Sequence, residues 1–111
     1  MKKIIVTGGR DYNDVVMIED VLNFIRPDII IHGDCSGADT IAKNWAKERF
    51  IQEIAYPYPS QHGRAGGPIR NKQMCSEHTD AIVIAFPGGK GTENCIKEAV
   101  KLNMIVMRIE P

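Results

Sequence analysis

Residues 81–92 read Ala-Ile-Val-Ile-Ala-Phe-Pro-Gly-Gly-Lys-Gly-Thr, an apolar run that passes through a glycine turn into a helical pattern. The apolar run before Pro87 is rich in β-branched residues, which predicts a strand buried on both faces. The residues that recur at helical spacing after the turn are Ile96, Ala99, Val100 and Asn103. The stretch therefore predicts a strand, a tight turn and a helix, with Thr92 as the N-cap of the helix.

The glycine turn of this stretch, residues 88–91, predicts an anion-binding site. Glycines remove the Cβ atoms that would keep a ligand away from the backbone. The free amides of the first helical turn and the positive end of the helix dipole would face the same loop. A turn that uses glycine for geometry alone is the alternative interpretation, because the motif is neither a P-loop nor GxGxxG.

Two further strand-turn-helix units precede this stretch. A strand at residues 3–7 leads into Gly8-Gly9 and a helix that stops at Pro27, and a strand at residues 28–32 leads into Gly33–Gly37 and a second helix. The remaining predicted elements are a weak strand at 52–55, an irregular segment at 56–67, a helix from Pro68 to Thr79 with Gly67 as its cap, and a strand at 104–109.

Five strands alternating with four helices predict a single α/β domain over residues 1–111, with a doubly wound parallel sheet and helices on both faces. Ligands of such sheets bind beyond the carboxyl ends of the strands, where the strand order reverses. All three glycine turns follow predicted strands, so we expect them to meet at that edge.

The composition limits the class of protein. The 14 basic and 14 acidic residues give a net charge of zero, and there are only three Phe, three Tyr and one Trp, so binding to nucleic acid is not expected. The chain has no apolar run long enough to span a membrane, and its N-terminus does not resemble a signal peptide. Three cysteines without a CxxC motif predict neither disulfides nor a metal site. We expect a cytoplasmic protein without a cofactor.

Basic side chains cluster at the predicted site in spite of the zero net charge. The basic residues in or beside its loops are Arg10, Arg64, Arg70, Lys72 and Lys90. Arg70 lies in the first turn of a predicted helix, where a cation opposes the dipole. It is either a solvated side chain or an arginine that forks a phosphate or carboxylate of the ligand. In either case its removal is expected to change the stability of the ligand-free protein little.

Asp34, Asp39 and Glu93 are the acidic groups predicted at the same edge. Each could accept a hydrogen bond from a ribose hydroxyl, cap a backbone amide, or act as the acid or base of an enzyme. Because Asp39 and Glu93 lie near predicted helix starts, complementation of the helix dipole is the alternative for these two.

The cysteines and histidines are predicted to be mainly structural. Cys95 lies on the apolar stripe of its helix, which favours a buried core residue over a nucleophile. Cys35 lies in a glycine loop, but no histidine partner can be assigned to it. His32 ends a buried strand and is predicted to be a hydrogen-bonded interior residue, which leaves His62 as the candidate ligand contact among the histidines.

Three motifs in this order resemble small single-domain members of the SLOG superfamily, of the YspA type. The motifs are GDxxGAD at residues 33–39, GPIRNKxM at 67–74 and DAxxIAFPGGKGT at 80–92. That superfamily takes its name from the Smf/DprA proteins and the Lonely-guy enzymes. The resemblance implies a Rossmann-like sheet of order 3-2-1-4-5 and a nucleotide or nucleotide-derived ligand, including signals related to ADP-ribose or NAD. It is also compatible with a homo-oligomer.

The resemblance to the Lonely-guy phosphoribohydrolases is incomplete. Arg70 matches their catalytic arginine, but the glutamate that ends their PGGxGTxxE motif is replaced by Cys95. Glu93 is two residues earlier, about 200° away around the helix, so it cannot substitute directly. Phosphoribohydrolase activity is therefore not expected, although enzymatic activity in general stays open.

These observations predict a binding protein for a phosphorylated ribonucleoside. A nucleotide-processing hydrolase that uses Asp34, Asp39 or Glu93 is the alternative, and a DNA-binding module like the DprA relatives is a third hypothesis. The predicted ligand-binding residues are Gly8, Gly9, Arg10, Gly33, Asp34, Ser36, Gly37, Asp39, Arg64, Arg70, Asn71, Pro87, Gly88, Gly89, Lys90, Gly91, Thr92 and Glu93.

Overall fold

The computed structural model describes residues 1–111, in which five strands alternate with four α-helices. The strands are β1 (Lys3–Thr7), β2 (Ile29–His32), β3 (Gln52–Ala55), β4 (Ile82–Ala85) and β5 (Val106–Arg108). The helices are α1 (Val15–Ile25), α2 (Ala38–Glu48), α3 (Gly66–Glu77) and α4 (Lys90–Lys101), and a 3-10 helix at Ser60–Ala65 precedes α3. None of these helices is both long and apolar enough to cross a membrane.

All five strands are parallel and lie in the order β3-β2-β1-β4-β5, which confirms the predicted sheet. The central strand β1 pairs with both β2 and β4, so that Ile5 lies between Ile31 and Val83. These three side chains are fully buried. A parallel sheet covered on both faces requires such continuous apolar strands.

Each face of the sheet carries two helices and its own apolar core. The first core, cluster 1, lies under α1 and α2 and includes Ile18, Leu22 and Trp45. The second core, cluster 2, lies under α3 and α4 and includes Met74 and Cys95. Because side chains alternate along a strand, Ile4 and Val6 of β1 enter cluster 1 while Ile5 enters cluster 2.

The predicted start of α3 is wrong. The helix begins at Gly66 with Ala65 at the N-cap, two residues before Pro68, and it ends at Glu77. Proline is tolerated within the first helical turn because an amide there has no carbonyl partner in the helix. The preceding segment, which the sequence predicts to be irregular, contains short 3-10 turns over Ser60–Ala65 that are broken at Gly63, where φ is 57°.

The predicted N-cap of α4 is also wrong. Gly89 occupies the N-cap and Lys90 begins the helix, so Thr92 is its third residue. The inward stripe of this helix is Thr92, Cys95, Ile96 and Ala99. Val100 lies about 100° further around the helix than Ala99 and is 60% exposed, so its predicted place in the apolar stripe is incorrect. Asn103 lies beyond the end of α4, which is at Lys101.

Candidate functional site

A cleft of about 560 Å³ lies at the carboxyl edge of the sheet, where the strand order reverses between β1 and β4. Its walls come mainly from the turns after β1, β2 and β4 and from the first two turns of α3 and α4. The lining residues are Thr7, Gly8, Gly9, Arg10, Cys35, Asp39, Tyr58, Arg64, Gly67, Pro68, Arg70, Asn71, Gly89, Lys90, Gly91, Thr92 and Asn94. Most of them are polar, charged or glycine.

The N-terminus of α4 opens onto this cleft without a side-chain cap. Its first amides, at Lys90, Gly91 and Thr92, have no carbonyl one turn earlier in the helix with which to bond. A Cβ added at Gly89 or Gly91 would meet no atom within 4 Å, so both positions face open space. The helix therefore presents unobstructed amides and the positive end of its dipole to the cleft.

The two other glycine turns are closed by the chain itself. Asp14 caps α1, because its carboxylate accepts a hydrogen bond from the amide of Met17 at 3.1 Å. In the turn between β2 and α2, Asp39 Oδ2 accepts hydrogen bonds from the amides of Gly33 at 3.0 Å and Cys35 at 3.3 Å. Three turns meet at one edge as predicted. The start of α2 also lacks a side-chain cap, but its Ala38 amide donates to the carbonyl oxygen of Gly9, whereas the amides at the start of α4 have no such partner.

Asp39 is the one acidic side chain that lines the cleft. Burial raises the pKa of this carboxyl above its usual value, while hydrogen bonds from the Cys35 and Gly33 amides and the nearby charge of Arg70 oppose that rise. Because Oδ2 accepts both amides, Oδ1 is the carboxylate oxygen left to meet a group in the cleft.

The other two acidic candidates lie outside the cleft. Asp34 is exposed and forms an ion pair with Lys43 at 3.1 Å. Glu93 is on the opposite side of the β4–α4 turn, where Arg108 holds both of its carboxylate oxygens at 3.0 Å. The Arg108 guanidinium lowers the pKa of Glu93. Neither residue can act on a group bound in the cleft without a change of structure.

Arg70 lies at the floor of the cleft and is only 9% exposed, so it is not a solvated side chain. Its Nη1 donates to the carbonyl oxygens of Gly33 at 2.7 Å and Tyr56 at 3.2 Å, and its Nε donates to Asn71 Oδ1 at 2.8 Å. Nη2 has only the Cys35 sulfur near it, at 3.9 Å. Contrary to the expectation from the sequence, these hydrogen bonds predict that removal of Arg70 destabilises the ligand-free protein.

Asn71 extends the Arg70 network to α4. Its Nδ2 donates to the carbonyl oxygen of Gly91 at 3.2 Å and to Asn94 Oδ1 at 2.9 Å. Because Asn94 Oδ1 is the acceptor of that bond, its amide nitrogen is left as a donor on the cleft side. The network links the second turn of α3 to the first two turns of α4 on either side of the cleft.

Three exposed cations line the cleft onto which the helix terminus opens. Arg10, Arg64 and Lys90 all line the cleft, whereas the exposed Lys72 does not. With Arg70 beneath them, the cleft combines four cationic side chains with one carboxylate. A protein with no net charge thus has a locally electropositive cleft, as the sequence predicted.

Several residues predicted to contact the ligand do not line the cleft. These residues are Gly33, Asp34, Ser36, Gly37, Pro87, Gly88 and Glu93. At Gly33 a Cβ would lie 2.2 Å from Arg70 Nη1, and at Gly88 it would lie 2.2 Å from Thr92 Oγ1. Gly37 has a φ of 78° and packs against the carbonyl oxygen of Gly9. These glycines are required by close packing rather than by a ligand.

Six lining residues were not predicted: Thr7, Cys35, Tyr58, Gly67, Pro68 and Asn94. Asn94 could have been found, because it is four residues after Lys90 and therefore on the same side of the helix. Tyr58 gives no such signal, since its position depends on how the 3-10 segment folds back over Gly66. His62 is exposed and does not line the cleft.

The predicted structural roles of two other residues are confirmed. Cys95 is fully buried in cluster 2, where its neighbour Cys75 and burial raise the pKa of its thiol. His32 is also fully buried, and its Nδ1 accepts a hydrogen bond from the amide of Asp34 while Nε2 lies 2.6 Å from Glu53 Oε1. Nε2 therefore carries the proton of the neutral ring.

Comparison with known proteins identifies the family. A model of the YspA, cpYpsA-related SLOG family matches residues 2–62, which include the first two glycine turns and more than half of the chain. The gene 61 protein of Mycobacterium phage D29 is 32% identical over 120 aligned positions, which cover 96% of this chain and 95% of the phage protein. Membership of this family suggests a nucleotide-related small-molecule ligand. The chain belongs to the YspA, cpYpsA-related SLOG family.

Proposed function

We propose that this protein binds a phosphorylated ribonucleoside, or a related ligand such as ADP-ribose or NAD, in the cleft at the carboxyl edge of the sheet. The observation that carries the proposal is the uncapped start of α4, which is flanked by two glycines with open space before them. Anions bind at such helix termini because the free amides and the dipole favour negative charge together.

A ligand phosphate would sit against the amides of Lys90, Gly91 and Thr92. Arg10, Arg64 and the Lys90 side chain surround that position, and charge-assisted hydrogen bonds from such groups are roughly twice as strong as neutral ones. Arg70 contributes positive charge from below, although its Nη1 already donates to two backbone carbonyl oxygens and its Nε to Asn71 Oδ1. A phosphate is thus matched by both the backbone and the side chains.

The rest of the cleft supplies groups that suit a nucleoside. Asp39 Oδ1 is an acceptor for a ribose hydroxyl, and the amide nitrogen of Asn94 is a donor. Tyr58 provides the aromatic surface of the cleft, on which a base could stack. The volume of about 560 Å³ lies within the range of small-molecule pockets.

The hydrolase alternative has less support. Asp39 is the one candidate acid or base on the cleft, and two backbone amides hold it through Oδ2. Cys95 occupies the motif position at which the Lonely-guy enzymes have their glutamate. It is buried and does not line the cleft. We therefore favour binding without cleavage of the N-glycosidic bond. The test is incubation of the protein with AMP, from which we expect no release of adenine above background.

The proposal predicts that nucleotides stabilise the protein and that Gly91→Ala weakens this effect. A ligand at a hundredfold excess over its dissociation constant adds about 2.7 kcal/mol to the free energy of unfolding. Alanine at position 91 should itself stabilise α4 by about 0.5–1 kcal/mol, since its Cβ meets open space. The same Cβ would stand where the ligand phosphate binds, so affinity should fall at least about tenfold, or 1.4 kcal/mol.

The measurement is a thermal-shift panel of AMP, cyclic nucleotides, ADP-ribose and NAD, followed by calorimetric titration of the responding ligand. Lys97→Ala is the control, because Lys97 is exposed on α4 but outside the cleft. If no member of the panel raises the melting temperature at millimolar concentration, the proposal fails. If Gly91→Ala binds as tightly as the wild type, the ligand site is not at the start of α4.

A further inference from the structure

Cys35 is the one cysteine of this chain with solvent-exposed surface. Cys75 and Cys95 are fully buried in cluster 2, whereas Cys35 is partly exposed and lines the cleft. It lies in the turn between β2 and α2, where its sulfur is 3.6 Å from the carbonyl oxygen of Gly33. A reagent that enters the cleft can therefore reach this thiol and neither of the others.

The buried side chain of Arg70 has unused donors beside this sulfur. Arg70 is only 9% exposed. Its Nε donates to Asn71, and its Nη1 donates to the carbonyl oxygens of Gly33 and Tyr56. The N–H groups of Nη2 have no oxygen acceptor, and the atom beside them is Cys35 Sγ at 3.9 Å. Nη2 is thus the part of the guanidinium that is left to pair with an anionic sulfur, or with a negative group attached to it.

The other charges of the cleft favour a reagent that is itself negative. Arg10, Arg64 and Lys90 are exposed and line the same cleft as the thiol. Asp39 is the one acidic side chain there, and its Oδ2 already accepts a hydrogen bond from the Cys35 amide. A cleft lined mainly by one sign of charge raises the local concentration of ions of the other sign and speeds their encounter.

We propose that Cys35 is a site of reversible mixed-disulfide formation with anionic low-molecular-weight disulfides, of the chemical class of glutathione disulfide. The Cys35 thiol loses its proton to water, and the thiolate attacks one sulfur of the reagent. A new S–S bond to Cys35 forms as the S–S bond of the reagent breaks, and the departing thiolate takes up a proton from water. The Cys35 sulfur is thereby oxidised, and the departing half of the reagent is reduced to a thiol.

The attached half of the reagent has room and partners in the cleft. The volume of about 560 Å³ is that of a small-molecule pocket. The carboxylates of a glutathione-type group are matched by Arg64, Lys90 and the free N–H groups of Arg70 Nη2. The adduct would occupy the space proposed above for a nucleotide and block it, a consequence that rests on the proposed function.

Mass spectrometry of the intact protein after incubation with glutathione disulfide tests the proposal. We expect the folded wild type to gain one glutathione, which peptide mapping places on Cys35 and which dithiothreitol removes. Cys35→Ser should gain none. Cystamine, a cationic disulfide, is the matched probe, and the rate of each reagent is divided by its rate with the neutral thiol 2-mercaptoethanol. On this relative scale glutathione disulfide should modify Cys35 at least about tenfold faster than cystamine at low salt.

Arg64→Ala and Lys90→Ala test whether the cleft supplies this preference. Each should lower the relative rate with glutathione disulfide at least about threefold, because each removes a cation from the path of the reagent. Lys97→Ala, on α4 outside the cleft, should leave that rate unchanged.

Two results would overturn the proposal. The first is a folded wild type that millimolar glutathione disulfide does not modify, although the urea-unfolded protein is modified. The second is an equal relative rate with glutathione disulfide and cystamine, which would mean that exposure alone, and not the charge of the cleft, decides the reaction of Cys35. No nucleotide enters the test, so a failure here is distinguishable from a failure of the ligand proposal.

Discussion

Gly88 and Gly89 are neighbours in the chain, yet a side chain would meet very different surroundings at the two positions. At Gly88 a Cβ would come within 2.2 Å of Thr92 Oγ1 and 2.7 Å of the Gly9 amide nitrogen. At Gly89 it would meet no atom within 4 Å. The first glycine is needed to pack the turn, whereas the second leaves room for something other than the protein. The sequence motif alone cannot separate these two roles.

Arg70 shows how a residue can line a candidate site and also support the fold. Arg70→Ala would leave the carbonyl oxygens of Gly33 and Tyr56 without their donor and open a space beneath the cleft. An unpaired buried acceptor costs about 1–3 kcal/mol, so we expect the free energy of unfolding to fall by about 2–4 kcal/mol. Urea denaturation of the ligand-free protein measures this loss.

Arg64→Ala is the control for Arg70→Ala, because Arg64 lines the same cleft but is exposed. A surface substitution of this kind usually changes stability by less than about 0.5 kcal/mol. Equal stabilities of Arg70→Ala and the wild type would contradict the role assigned to the hydrogen bonds of Arg70.

At the scale of the elements, the strands were easier to predict than the helix starts. Buried parallel strands are continuous apolar runs, and alternation with helices limits them to a few topologies. The sequence places the start of α3 two residues too late and the start of α4 three residues too late, because glycine and proline are typical of helix boundaries. Both residue types are tolerated in a first helical turn, where the amides lack partners in any case.

The site could be predicted only in part for a similar reason. The sequence indicated that the glycine turns would meet at one edge, and the sheet order brings them there. Whether the amides of a turn are free depends on which side chains accept their hydrogen bonds. The Gly33 amide, for example, donates to the carboxylate of Asp39. The position of Arg70 under Gly33 likewise depends on contacts between residues 37 positions apart in the chain. Local patterns do not contain such contacts.

Tyr56 connects the end of β3 to the end of α3 and should titrate unusually late. Its hydroxyl donates to Glu77 Oε1 at 2.6 Å. Burial, together with the Glu77 carboxylate, raises the pKa of Tyr56 from 10.0 to about 12. Ultraviolet difference titration should therefore show a phenol that ionises near pH 12 and is missing in Tyr56→Phe.

The same shift makes stability depend on pH. Because the folded pKa is the higher one, the fold favours the neutral phenol, and this contribution is complete below the unfolded pKa of about 10. It is lost as the pH rises through 12. The free energy of unfolding should thus fall more steeply between these values in the wild type than in Tyr56→Phe. Parallel curves for the two proteins would contradict the Tyr56–Glu77 contact.

At the scale of the whole molecule, the charges are balanced in number but not in position. The chain has 14 basic and 14 acidic residues, yet Arg10, Arg64 and Lys90 gather at the cleft without acidic partners there other than Asp39. Asp34 and Glu93 are held in ion pairs elsewhere. The attraction for an anion is therefore local to the cleft, where solvent ions can screen it.

Salt should consequently weaken ligand binding more than it weakens the fold. The Debye length falls from about 10 Å at 0.1 M to about 3 Å at 1 M salt, so exposed cations lose most of their attraction for a phosphate. We expect the affinity for the responding nucleotide to fall roughly 5–10-fold over this range, or about 1–1.4 kcal/mol. Exposed ion pairs contribute only about 0–1 kcal/mol each, so the unfolding free energy of the ligand-free protein should change little. Calorimetric titration and urea denaturation at both salt concentrations measure the two effects.

Lys90→Ala should flatten the salt dependence of binding, whereas Lys97→Ala, on the same helix outside the cleft, should keep it. Wild-type affinity that does not change with salt would mean that the ligand is held by uncharged contacts and not by the cations around the start of α4.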